Sequence, residues 1–222
     1  MEIMKILMTT ASFGTPLRSY WALQQSERHE IHYRRYNDVN YPFRQYSLTP
    51  ALKSKFIKML AHELNPGYDI YIWLDATFSL YRTDAADAFA AELRNADIAL
   101  YHHDERTSIM EEARQIGQFI GEGFRRMVRR AGDEPVMEQA QHYCADETFT
   151  DDALYNGGII VYRPTAAAMM RDWYGEVCRW SIRDQISLPY MIHRHRPHLH
   201  VLPGSIYANN IAYFDQKLFC TV

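Results

Sequence analysis

The chain has 222 residues, of which 47% are hydrophobic and 23% charged, a balance that fits one folded domain and excludes a disordered chain, a collagen-like chain or a membrane bundle. Lys plus Arg number 24 against 27 Asp plus Glu, a formal charge of −3, so the basic excess that a dedicated nucleic-acid binder needs is missing. The three cysteines, Cys144, Cys178 and Cys220, show no C-x-x-C spacing and read as reduced thiols rather than a disulfide framework. The first residues, MEIMKILMTTASFG, carry an acidic side chain and only a short apolar run, unlike a signal peptide. No stretch approaches the roughly 20 apolar residues of a membrane span. The expectation is a soluble, cytoplasmic protein, with peripheral membrane contact left open.

In chain order, residues 3–9 (IMKILMT) predict a buried first strand. Thr15-Pro16 reads as an N-cap followed by proline, opening a helix to about Ser26. Residues 30–36 alternate like a half-buried strand. Thr49-Pro50 repeats the helix-opening signal, and Asn65-Pro66-Gly67 stops that helix. Residues 69–74 (DIYIWL) predict a strand, Thr83 to Arg94 a helix and Asp97 to Tyr101 a strand. A long helix is predicted from Ser108 to about Ala131, opened by the capping-box pattern Ser108-x-x-Glu111. Residues 158–162 predict a strand, Thr165 to Trp180 and Arg183 to Ile192 helices, and Leu199 to Leu202 a last strand. Strands alternating with helices predict a largely parallel sheet flanked by helices, with ligands at the carboxyl ends of the strands. G-x-G-x-x-G, G-x-x-x-x-G-K-[ST] and G-x-S-x-G are all absent, which disfavours a dinucleotide oxidoreductase, a P-loop enzyme and an α/β-hydrolase.

Five segments carry side chains suited to chemistry, and a sixth carries a run of arginines. Asp75 ends the apolar run IWLDATFSL, where it either caps a turn or faces a ligand as a cation-holding carboxylate. Asn156-Gly157-Gly158 is either an ordinary turn or a place where the backbone approaches a ligand. Arg183-Asp184-Gln185 groups a cation, a carboxylate and an amide at a helix start, and Asp184 is either a cap or the acceptor of a hydroxyl proton. Arg106 is suited to a phosphate or carboxylate. Lys55, Lys58 and His62 fall on adjacent faces of one helix, either solvated or with a lysine aimed at phosphate. Arg125, Arg126, Arg129 and Arg130 form a basic patch, read either as a solvated face or as a contact for an anionic acceptor.

Three of these segments follow one another in a familiar order: KMLAHELNPGYDIYIWLDA (58–76), an H-x-x-R-x-x-x-x-E-E-A block from His103 to Ala113, and a W-x-x-E-x-x-x-x-S-x-R-D-Q-x-S-x-x-Y block from Trp173 to Tyr190. Over about residues 50–195 the chain resembles the glycosyltransferase-like domain of plant turgor-regulation-defect and mucilage-related proteins and their bacterial relatives. The resemblance implies a single GT-A-like α/β domain over 1–222, with a mostly parallel central sheet. It also implies transfer of a sugar from a nucleoside-diphosphate sugar to the hydroxyl of a cell-surface glycan or other polymer.

Residue roles follow from the same resemblance. Thr9, Thr10 and Phe13 would receive the base and ribose. Lys58, Asp75, Arg106, Asn156, Gly157, Gly158, Arg183 and Gln185 would surround the donor, and Asp184 would be the carboxylate base of an inverting enzyme; the stereochemistry stays open. A divalent cation, Mn or Mg, would be held by Asp75 and His200, with Thr77 standing where the D-x-D motif has its second aspartate. Without a metal, Lys58 and nearby arginines would neutralise the leaving diphosphate. The alternatives are a non-catalytic nucleotide-sugar or glycan-binding module on the same fold, and a metal-dependent hydrolase built on His193, His195, His198 and His200, which lacks an H-E-x-x-H spacing.

Overall fold

A computed structural model describes residues 3–43, 48–124, 128 and 132–216. The first strand, β1 (Met4–Ala11), pairs in parallel with both β2 (His29–Tyr36) and β3 (Ile70–Leu74). Helix α1 (Pro50–Leu64) connects β2 to β3. After a two-residue strand β4 (Phe78–Ser79) and helix α2 (Ala85–Leu93) comes β5 (Ile98–His102). Helices α3 (Ile109–Gly121) and α4 (Val136–Cys144) precede β6 (Tyr155–Tyr162). A 3-10 turn (Pro164–Ala166), α5 (Ala167–Arg179), α6 (Asp184–His195), β7 (Leu199–Val201) and β8 (Tyr213–Phe214) complete the described elements. The main sheet runs β2-β1-β3-β6-β5-β7, and β4 and β8 make a separate antiparallel pair. Within the main sheet only β6 runs against its neighbours. The expected α/β architecture, a mostly parallel central sheet flanked by helices, is therefore what the chain forms.

Strand alternation distributes the core over both faces of the sheet. Leu7, Tyr71, Trp73, Ile160 and Tyr162 pack with Ile57 of α1, Trp173 of α5 and Leu188 of α6. Ile6, Met8, Ile72, Leu74 and Val161 pack on the opposite face with Phe89 and Leu93 of α2. Burial on both sides explains why these strands read as continuous apolar runs. Among the described residues no helix is long and apolar enough to cross a membrane.

The proline signal works at one site and misleads at the other. Thr49 caps α1, its hydroxyl accepting from Leu52 N at 3.2 Å. Thr49→Ala is expected to cost about 1 kcal/mol, seen as a fall of roughly 2–4 °C in a thermal melt. Thr15-Pro16, by contrast, opens no helix. Residues 15–26 form no helix because their backbone is bound elsewhere: Leu80 N donates to Tyr20 O, Ala22 N to Leu80 O and Gln25 N to Thr83 O. The capping box at α3 is also altered. Ser108 Oγ accepts from Glu111 N at 3.1 Å, but Glu111 reaches back to Thr107 N at 2.8 Å instead of to the cap residue. That helix ends at Gly121, and the four arginines from 125 to 130 lie outside the described residues.

Candidate functional site

The site forms where β3 and β6 reach the edge of the sheet. Tyr71, Trp73 and Asp75 alternate onto one face, and the Trp73 indole N–H donates to Asp75 Oδ1 at 2.8 Å. The ladder continues into the turn, since Asp75 N donates to Gly158 O at 2.8 Å. The Asp75 side chain is 46% exposed, so its carboxylate stands at an opening. Behind it lies Lys58 of α1, only 2% exposed, with its ammonium 4.0 Å from Asp75 Oδ1.

Lys58 and Lys55 lie three residues apart on one face of α1. Both ammonium groups converge on one oxygen of Asp184, the first residue of α6: Lys58 Nζ lies 2.5 Å and Lys55 Nζ 2.7 Å from Asp184 Oδ2. The Trp173 indole N–H donates to Asp184 O at 3.0 Å, and its ring lies 5.6 Å from the Lys58 ammonium. Burial alone would push the Asp184 carboxyl up, but Lys55 and Lys58 outweigh it and hold the group well below the usual carboxylate range. Burial drives the Lys55 amine down to about 8, with Asp184 opposing the fall and Lys58 adding to it.

Gly157 is what lets the cluster close. A Cβ built there would lie 2.7 Å from Lys58 Nζ and 3.4 Å from Asp184 Oδ2. At Gly158 it would instead meet Phe78 and Ile206 on the other face. The pairing with β5 shifts register between Leu100 and Tyr101, which face Ile160 and Asn156 respectively. This bulge carries both glycines, and Asn156 Oδ1 braces it by accepting from Gly158 N at 2.9 Å. Asn156 Nδ2 also reaches Tyr207 OH at 3.5 Å.

Beside this cluster, Glu112 of α3, buried to 2% exposure, joins the two arginines. It accepts from Arg106 Nε at 2.6 Å and from Arg183 at 2.8 Å. Burial would raise the Glu112 carboxyl, but Arg183 and Arg106 hold it below its ordinary value. Burial and Arg106 push the His103 imidazole down. Gln185 sits 3.5 Å from Arg183. Glu134, before α4, accepts from Ile182 N through both oxygens, and burial raises its carboxyl despite Arg183 and Lys55. Sequence reasoning singled out Glu111 as a cap and missed both Glu112 and Glu134. The signal for Glu112 was the acidic pair in the E-E-A block, of which only the second member turns inward.

Two further sets of expected site residues take the following positions. Thr9, Thr10 and Phe13 are buried: the Thr9 hydroxyl donates to Ile72 O at 3.4 Å, and Phe13 packs edge-on against Tyr41. His200 is separated from Asp75 by the strand sequence β3-β6-β5-β7, about 14 Å at the usual strand spacing. Its Nε2 lies 3.8 Å from Glu92 instead. Among the described residues no group of three or more His, Cys, Asp or Glu is placed to hold a metal ion. Asp75 has the Lys58 ammonium 4.0 Å away, and the neighbouring Asp184 carboxylate is taken up by two lysines, so the described residues do not fit a divalent cation.

A family model described as the TOD1/MUCI70 glycosyltransferase-like domain matches residues 40–208. Among solved structures, mouse xyloside xylosyltransferase 1 in its apo form is similar over 89% of this chain and 85% of its own, at 13% identity and a TM-score of 0.46. A glycosyltransferase involved in the glycosylation of the major capsid of PBCV-1 is similar over 89% of this chain and 81% of its own, at 10% identity and the same TM-score. The apo structure of the bifunctional glycosyltransferase WbbM is similar over 90% of this chain and 39% of its own, at 12% identity and a TM-score of 0.46. No curated protein matches the chain by sequence.

Proposed function

Since this chain belongs to the TOD1/MUCI70 glycosyltransferase-like domain family, we propose that it transfers a sugar from a nucleoside-diphosphate sugar to an acceptor hydroxyl. The observation that carries this reading is the pair of ammonium groups held at the carboxyl edge of the sheet by a buried carboxylate. The leaving diphosphate gains negative charge as the glycosidic bond breaks, and preorganised cations aimed at it lower the barrier. Lys55 and Lys58 supply that charge in place of a metal. Asp75, at the opening, accepts hydrogen bonds from donor hydroxyls. Asp184 receives a different role from the sequence expectation. A carboxylate locked between two lysines and held well below its usual range is a poor proton acceptor, so it positions the ammonium groups.

The test is release of nucleoside diphosphate from a panel of uridine- and guanosine-diphosphate sugars. Asp75→Asn is expected to lower kcat/KM by about 10–100-fold, the worth of hydrogen bonds to a charged group. Unchanged kcat/KM would remove Asp75 from the site. Donor binding without any release across acceptors would favour a non-catalytic module.

Lys55 also predicts a pH limb. Above pH about 8 the folded chain loses the Lys55 charge, while an unfolded chain keeps it towards the ordinary 10.5. Because the unfolded state then binds more protons, this group raises folding stability between those values as pH rises. Turnover is expected to do the opposite, falling above about pH 8. Lys55→Arg, whose side chain does not titrate there, is expected to move the limb upward in a pH–rate profile.

A further inference from the structure

Next to the lysine cluster, on the same face of β6, a depression of about 230 Å³ opens between the chain entering β6 and helix α6. Phe149, Tyr155 and Pro189 give it apolar walls; Thr150, Asp152 and His193 give it polar ones. The volume is below the roughly 300–1,000 Å³ of pockets for drug-sized ligands, and suits a single ring. A pyranose is amphipathic in the same way, with C–H faces that stack on aromatic rings and hydroxyls that both donate and accept. We propose that this depression is a subsite for one sugar ring of the acceptor, an inference that rests on the transferase reading above.

The walls are held in place before any ligand arrives. The Tyr155 ring stacks on His102 with centroids 5.2 Å apart. Phe149 meets Tyr190 and His193 edge-on at 5.4 and 5.5 Å, and His193 Nε2 lies 3.1 Å from Thr148 Oγ1. Two rulers place the depression beside the donor site. Tyr155 and Gly157 are two residues apart on β6, about 7 Å. Asp184 and Pro189 are five residues apart on α6, about 7.5 Å along its axis. A ring bound there stays near the residues that hold Lys58, the neighbourhood that group transfer between donor and acceptor requires. The exposed carboxylate of Asp152 at the rim provides an acceptor for ring hydroxyls.

Saturation-transfer NMR on the full chain tests the subsite with four probes: methyl β-D-glucoside, methyl β-D-galactoside, methyl α-D-mannoside and methyl α-D-galacturonoside. Ala153, which also lines the depression, is changed to Leu to narrow it, and Asp152→Asn alters its rim without changing shape. At least one probe is expected to bind the unaltered chain. Ala153→Leu is expected to raise its Kd about tenfold or more, and Asp152→Asn about three- to tenfold. Affinity for uridine diphosphate, measured in parallel, stays unchanged. Absence of binding by all four probes, or binding that both variants leave intact, overturns the subsite. Donor cleavage without glycoside binding overturns the subsite alone. Glycoside binding by a chain that cleaves no donor overturns the transferase reading, and the acceptor role with it.

Discussion

Lys58→Met is expected to lower turnover by about 10²–10³-fold, the scale seen when one preorganised charge-stabilising group is removed. The fold is expected to survive. Asp184 keeps Lys55 at 2.7 Å on the same oxygen, so the buried carboxylate is not left unpaired. The stability loss is then about 2 kcal/mol, below the 3–5 kcal/mol of a fully orphaned buried ion, or roughly 4–8 °C in melting temperature. A double change separates the two contributions. Lys58→Met with Asp184→Leu removes both buried charges, and Lys55, one-fifth exposed, can turn to solvent. Replacing a buried ion pair by apolar groups is often neutral, so the double variant is expected to recover most of the stability and none of the turnover. The melting temperatures and rates of the single and double variants form a cycle. Turnover per folded molecule unchanged in Lys58→Met would reduce the lysine to a structural ion-pair partner.

What the sequence made legible follows from the range of the interactions involved. The runs in β1, β3 and β6 were readable because strands buried on both faces need apolar residues throughout. Thr49-Pro50 was readable because capping is local. The same local signal misled at Thr15-Pro16, where distant partners around Leu80 claimed the backbone. Helix α4 went unread because Pro135 caps it without a side-chain bond and its inward face includes the polar Gln139, which hides the apolar period. The site divides in the same way. Asp75 was visible as the carboxylate ending an apolar strand, and Lys58 as one of two lysines that with His62 fall on adjacent faces of α1. Their link to Asp184 was not, because Lys58 and Asp184 are 126 positions apart. Asp184, legible at the start of its helix as either a cap or a proton acceptor, also holds two lysines of α1, a contact its neighbours Arg183 and Gln185 do not announce. His200 shows the converse: its alternation on a strand was right, but registry with β5 set it beside Glu92.

Gly157→Ala and Gly158→Ala are expected to fail in opposite ways, although the two residues are adjacent. At Gly157 the added methyl would stand 2.7 Å from Lys58 Nζ, closer than real contacts allow. The clashing atom is the end of a flexible side chain, so the amine moves and the backbone need not. Folding is expected to change little, by about 1 kcal/mol. The ammonium, however, leaves the position that Asp184 fixes, and displacements of about 1 Å near reacting groups cost on the order of 10²-fold in rate. At Gly158 the methyl meets Phe78 at 3.0 Å and Asn156 and Ile206 at 3.2 Å, on the face away from the lysines. Overpacking there is expected to cost about 1–3 kcal/mol and to leave the ammonium positions unaltered. Melting temperature and kcat measured on both variants read the contrast directly. Rate loss for Gly157→Ala no larger than for Gly158→Ala would mean that the ammonium position is not what the chemistry depends on.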